Sequence, residues 1–313
     1  MATATVSGFL DINNGGAPFD DLALKVYAGM ILEAYNKTIT TEGRHMQRTI
    51  QSGKSAQFPV IGRVGSAFHT RGTELSFQQV NSNERVISIQ DLLVSPIFLD
   101  VLDEAKSHFD VRRPYATQQG QELAEQSDLR VLMSFIAASR TSTPNFTGGD
   151  GGQQVTGATI GTDAAVLKAG IYDAAEILDE NSVSNMDRAL WLAPAQFYLL
   201  LQDGEFLDRD FGGEGSRATA VMRNAADFTI IKTTNLPTAS EVGDTDFPTN
   251  LQLDYTTTVA VSGHSSAAGS VSLIGLQFES EYDINRQGHM LVAKYAKGFD
   301  YLRPEAAVEL ATA

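Results

Sequence analysis

The chain has 313 residues and a mass of 33.7 kDa, with 42% apolar and 19% charged residues. This composition excludes wholesale disorder, and the length suits one large domain or two interleaved ones. The absence of cysteine excludes disulfides, thiolate metal sites and thiol catalysis, and suits assembly in a reducing compartment. The net charge of −15 makes a body that repels phosphate, which disfavours general nucleic-acid binding.

The opening residues, MATATVSGFLDINNGG, lack a basic start followed by a long apolar run, so no secretory signal is expected. No window approaches the roughly 18 consecutive apolar residues of a membrane span. The charge is unevenly spread: residues 1–90 carry 8 basic and 7 acidic side chains, residues 91–313 carry 15 and 31. Lys37, Arg44, Arg48, Lys54, Arg63 and Arg71 stand against Glu42 alone between positions 37 and 71. That asymmetry points to a nucleic-acid tail or to an arm that docks on an acidic partner, and the plainer reading is a solvated face.

In chain order, Asp20 and Asp21 precede Leu22, Leu24, Val26, Tyr27, Met30, Ile31 and Tyr35, the pattern of an amphipathic helix with acids at its positive end. Ser55–Ile61 reads as a strand marked as an edge by Pro59, and residues 86–89 as its return. Between them lie Gly62, Gly65, Gly72 and many polar residues, giving a long two-stranded excursion with little core of its own. Ser95-Pro96 offers an N-cap and a first-turn proline for a helix carrying Ile97, Phe98, Val101, Leu102 and Ala105. A long helix is expected from about 114 to 138. Residues 141–162, rich in Gly, Thr, Ser and Asn, are expected to be a flexible connection. Thr162-Asp163 caps a helix over about 164–180. Strands follow at 189–192 and 228–233, a short helix at 194–201, a polar loop at 235–250, and further strands at 251–262, 271–279 and 289–296. The class is mixed α+β.

Four constellations invite a chemical reading, and each falls short. Gly53-Lys54-Ser55 resembles the end of a phosphate-binding loop, but Arg48 replaces its first glycine and a strand follows where a helix is needed. Gly263-His264-Ser265 resembles a serine nucleophile elbow, but Ala267 replaces the last glycine and Val271 opens another strand. A turn between strands explains the segment better, and a hydrolase using Ser265 is the remote alternative. His45, His69, His108, His264 and His289 show no metal-ligand spacing. The acidic run Asp203, Glu205, Asp208, Asp210 and Glu214 lacks the order of a calcium loop and reads as a solvated loop, with a weak cation site as the alternative. No catalytic residue, cofactor or metal is expected. An exposed hairpin, an arm and segregated charge mark a subunit completed by its neighbours.

Arg44-His45-Met46-Gln47-Arg48 and the run Ser52 to Arg63 (SGKSAQFPVIGR) resemble the major capsid proteins of short-tailed podoviruses of the autographivirus group. The likeness continues at His108-Phe-Asp-Val-Arg112, Ala293-Lys-Tyr-Ala-Lys-Gly298 and Leu302-Arg-Pro-Glu-Ala-Ala307. The resemblance implies the HK97-type capsid fold. It would divide the chain into an N-terminal arm (1–51), an extended E-loop (52–90), a peripheral domain with the long spine helix (91–160, with a return at 284–313) and an axial domain (161–283). It also implies self-assembly into hexamers and pentamers of an icosahedral shell around double-stranded DNA, in the virion, after assembly in the host cytoplasm. A scaffolding protein, a portal at one vertex and decoration proteins would be its other partners, with no membrane. A cellular nanocompartment shell of the same fold is the nearer alternative. The candidate intersubunit contacts are Arg44, Arg48, Lys54, Phe58, Arg63 and Arg71.

Overall fold

In the computed structural model the described residues are 19–62, 64–66, 68–75, 77, 80, 82–106, 112–145, 149–203, 215–216, 221–222 and 224–313. Helix α1 (Phe19–Thr38) leads to strands β1 (Met46–Thr49), β2 (Ser55–Ile61), β3 (Ser82–Ser88) and β4 (Leu93–Asp100). Short α2 (Val101–Lys106) and long α3 (Arg112–Arg140) follow, then β5 (Gln153–Thr156), α4 (Ala164–Glu180), β6 (Arg188–Leu192) and α5 (Pro194–Asp203). Next come β7 (Gly215–Ser216), β8 (Val221–Met222), β9 (Asn224–Ala225) and β10 (Phe228–Lys232). The chain closes with β11 (Thr258–His264), β12 (Ala268–Asp283), β13 (Gly288–Tyr301) and β14 (Ala307–Ala311).

The chain divides into two units: Met1–Ile39, Leu92–Gln126 and Ile274–Ala296 form the first, and Thr40–Asp91, Ser127–Leu273 and Lys297–Ala313 the second. In the first unit β13 pairs antiparallel with β4, Leu291 opposite Ile97 and Ala293 opposite Ser95. Leu291, Ala293 and Tyr295 pack with Tyr27, Ile31 and Tyr35 of α1 and with Ala116, Leu123 and Ala124 of α3. The approach of the two helices depends on Gly120, where a Cβ would lie 2.5 Å from the Ile31 carbonyl oxygen. Gln119 ties the layers together: its Oε1 accepts from the Tyr27 hydroxyl at 2.9 Å and its Nε2 donates to the Ser95 carbonyl at 2.8 Å.

The second unit is built on a six-stranded sheet, ordered β5-β14-β11-β6-β10-β9. Its central β6 is buried on both faces, which explains the unbroken apolar run Ala189-Leu-Trp-Leu192. Leu190 and Leu192 pack with α4 and α5 through Leu167, Ile171, Leu178, Phe197 and Leu200. Trp191 points to the other side, where Phe135 of α3 lies 4.9 Å away between ring centroids. The Asp163 side chain caps α4 by accepting from the Ala165 amide at 2.9 Å, satisfying one of the first-turn donors. The expected helices at α3, α4 and α5 and the strands at β2, β6 and β10 are all present.

Three expectations are corrected. Ser95-Pro96 does not open a helix: residues 93–100 form β4, and helix begins only at Val101. Along β4 exposed and less exposed residues alternate, a period of two that the spacing of Ile97, Phe98, Val101 and Leu102 hides. The connection at 141–162 contains β5, which pairs parallel with β14 from Gln153 opposite Val308 to Thr156 opposite Ala311. The strand expected at 251–262 starts at Thr258, because Thr249–Leu251 forms a short 3-10 turn that buries Leu251.

Candidate intersubunit contact site

Strands β2 and β3 of the second unit form a two-stranded sheet with Ser55 opposite Ser88 and Ile61 opposite Ser82. Both strands are edges, which accommodates Pro59. The base of the hairpin has a core: Ala56 and Ile87 are buried with Val271 and Leu302, and Ile50, Phe58 and Ile89 pack around them; further along β2, Val60 is buried as well. Ser88 approaches the backbone so closely that a Cβ on residue 298 would lie 2.2 Å from its carbonyl oxygen. Glycine is the residue that fits there. Beyond the base, Arg85 of β3 reaches Asp300 at 3.2 Å and lies 3.9 Å above the Tyr301 ring. Burial pushes the Asp300 carboxyl up from its ordinary value, and Arg85 opposes that shift.

Past Ile61 the hairpin carries apolar side chains into solvent. Phe68 and Phe77 are essentially fully exposed, and Ile61, Val64 and Leu75 are each more than half exposed. Each such side chain forgoes about 1.5–3 kcal/mol of burial. Several together in one loop mark an interaction surface rather than chance exposure.

The contact candidates occupy this hairpin and its approach. Lys54 and Arg71 are exposed, Arg44 and Phe58 are half-buried, and Arg63 lies outside the described residues. Exposed Arg48 donates from Nη1 to the Gln57 carbonyl at 2.7 Å, joining β1 to β2. Phe58 belongs to the hairpin's own base cluster.

The approach to β1 is held by residues of which the sequence marked only His45. Asp128 of α3 is fully buried and accepts from the amides and hydroxyls of both Thr40 and Thr41, at 2.7–3.1 Å. Thr41 in turn accepts from His45 Nδ1 at 2.9 Å, while His45 Nε2 accepts from the Ser270 hydroxyl at 2.9 Å. A neutral imidazole protonated at Nδ1 satisfies both bonds. Burial holds the His45 pKa down, at about 4. β1 then pairs parallel with β12, Met46 opposite Gly269.

Among the described residues none of the chemical constellations is built as a site. Gly53 takes a φ of +114° and leads into β2, so no helix N-terminus faces Lys54. Ser265 sits in the turn from β11 to β12, closed by the Ala267 amide on the His264 carbonyl at 2.9 Å. Ser266, not Ser265, engages His264 Nδ1, through its hydroxyl at 2.8 Å and its amide at 3.1 Å. The His289 ring lies 5.1 Å from that of Tyr282, tilted at 57°, and His69 is exposed. Among the described residues no group of three or more His, Cys, Asp or Glu could hold a metal. His108 and the acidic run from Glu205 to Glu214 lie outside the described residues.

The family described as Gp10A-like major capsid protein matches residues 57–311. The major capsid protein of Enterobacteria phage T3 is 32% identical, over 94% of this chain and 92% of that one. The major capsid protein of Escherichia phage T7 is 30% identical, over 98% of each. The capsid structure of cyanophage P-SCSP1u superposes with a TM-score of 0.80 at 34% identity, covering 100% of this chain and 99% of that one. The fold is the HK97-type phage capsid fold. The chain belongs to the Gp10A-like major capsid protein family: it is a structural component of a virion capsid, not an enzyme.

Proposed function

We propose that the β2–β3 hairpin is the E-loop of this subunit and lies across a neighbouring copy in hexamers and pentamers of an icosahedral shell. The observation that carries this reading is the exposure of Phe68 and Phe77 in the connection between β2 and β3, beyond the buried cluster at the hairpin base. A neighbour would remove those rings from water and order a hairpin that is marginal alone. In this scheme residues 1–51 are the N-terminal arm, 52–90 the E-loop, 91–160 with 284–313 the peripheral domain, and 161–283 the axial domain.

The basic residues Arg44, Arg48, Lys54, Arg63 and Arg71 would face the acidic part of that neighbour, setting register and orientation rather than supplying most of the affinity. Phe58 would support the hairpin from its base. The shell would enclose a double-stranded DNA genome without reading its sequence, and an acidic wall would let packed DNA slide. A scaffolding protein and a portal ring would complete the assembly in the host cytoplasm, and decoration proteins could add to the outside.

Sedimentation velocity and negative-stain microscopy of the full chain, with and without its scaffold and across a salt series, test this reading. Closed particles whose yield falls as salt rises are expected. Monomer under every condition contradicts it.

A further inference from the structure

We propose that Arg85 and the Asp300–Tyr301 pair form a releasable latch that sets the angle of the hairpin on its own subunit. The inference concerns the single chain and does not rest on where the hairpin lands in a shell.

The hairpin is attached in two stages of different chemistry. The first is its base. Ala56 and Ile87 are buried with Val271 and Leu302, Ser88 lies against Gly298, and the Gln90 amide donates to the Lys297 carbonyl at 3.3 Å. Apolar burial has no preferred direction, so this cluster can act as a pivot.

The second stage fixes direction. Arg85, two residues from Ile87 toward the tip, forms its ion pair with Asp300 and covers the Tyr301 ring. Asn83, two residues further, donates from Nδ2 to the Asn145 carbonyl at 2.7 Å. Both contacts are directional, and a small displacement at these positions becomes a large one at residues 62–81.

The latch is built to open. The Arg85 and Asp300 side chains remain 29% and 12% exposed, so water can replace each partner. Arg85 Nε is buried without a hydrogen-bond partner among the described residues, so closure leaves one donor unsatisfied and opening regains it. Asp300 does not depend on Arg85 for solvation alone: its Oδ1 also accepts from the Tyr301 amide at 2.8 Å and from Asn250 Nδ2. The carboxylate therefore keeps partners when the guanidinium leaves. The base cluster contains none of these groups, so release need not unfold it.

The absence of native cysteine makes the test clean. Spin labels at Glu74→Cys in the loop and Asn185→Cys in the body, both exposed positions of the second unit, report the hairpin angle. The full-length labelled chain is diluted with excess unlabelled chain, so that only intrachain distances count. The double-labelled parent should give one narrow distance peak. Arg85→Met, which keeps the stem and removes the charge, and Asp300→Asn should each lose that peak in favour of a broad or shifted distribution, with unchanged circular dichroism. The parent distribution persisting in both folded variants would overturn the latch, because the base and the Asn83 contact would then set the angle without it. Loss of fold in both variants would overturn it equally, because a releasable contact must be dispensable to the fold.

Discussion

The Arg140 guanidinium and the Glu309 carboxylate meet as a bidentate pair, Nε to Oε2 and Nη2 to Oε1, both at 2.7 Å. Arg140 ends α3 and Glu309 is fully buried in β14, where Gln154 of β5 and Thr258 of β11 also donate to it. One carboxylate thus joins the long helix to three strands of the six-stranded sheet. Its hydrogen bonds hold the Arg140 guanidinium above its ordinary pKa. Glu309→Ala would strand a desolvated cation and two polar donors, at a cost of about 3–5 kcal/mol. The drop should appear as a lower denaturant midpoint with an unchanged slope.

Asp128→Ala removes the acceptor for four donors from Thr40 and Thr41. The expected loss is about 2–4 kcal/mol, because buried amides are left without partners. Asp128→Asn should recover part of it, since the amide oxygen can still accept two of the bonds. Thermal unfolding of the three chains side by side checks the order.

His45 gives the subunit an acid sensitivity with a defined window. Folded, it stays neutral down to about pH 4, whereas an unfolded histidine charges near its ordinary value of 6.5. Between those values the unfolded chain binds the extra proton, so this contribution is intact above pH 6.5 and drains as pH falls toward 4, by up to about 3 kcal/mol. His45→Gln should unfold more easily at pH 7 yet lose less further stability between pH 6.5 and 4 than the parent. Parallel pH profiles of parent and variant would contradict the assignment.

Gly298→Ala would drive a methyl group to 2.2 Å from the Ser88 carbonyl oxygen. Backbone on both sides must shift, at about 1–3 kcal/mol. The hairpin base should loosen first, so trypsin should cut at exposed Arg71 faster than in the parent.

Elements with a strong local period were legible in the sequence: α3, α4 and the hairpin all follow from spacing, caps and turn residues. β14 and β5 were not, because they are defined by pairing with each other and with β11 across the chain, and Ala307-Val-Glu-Leu-Ala311 carries no strand signal strong enough alone. The charged hubs were hidden for a related reason. Asp128 follows Gln126-Ser127 on α3, a polar stretch that reads as a solvated turn of helix, and Glu309 alternates with Val308 and Leu310 as an outward residue would. Only the tertiary structure brings Thr40, Thr41, Arg140 and Gln154 to them. The contact candidates were found from charge, whereas the exposed phenylalanines were passed over, since an isolated Phe in a Gly-rich loop looks like a residue waiting for its own core.

The central claim is that the hairpin's apolar surface belongs to a neighbour. The double variant Phe68→Ser, Phe77→Ser tests it most directly, because both rings lie in solvent in the isolated subunit and their loss should change subunit stability by less than about 0.5 kcal/mol. Sedimentation velocity on parent and variant, with circular dichroism as the folding control, gives the answer. Shells from the parent and folded, unassembled subunits from the variant are the predicted result. Shells from the variant at parental yield would contradict the account.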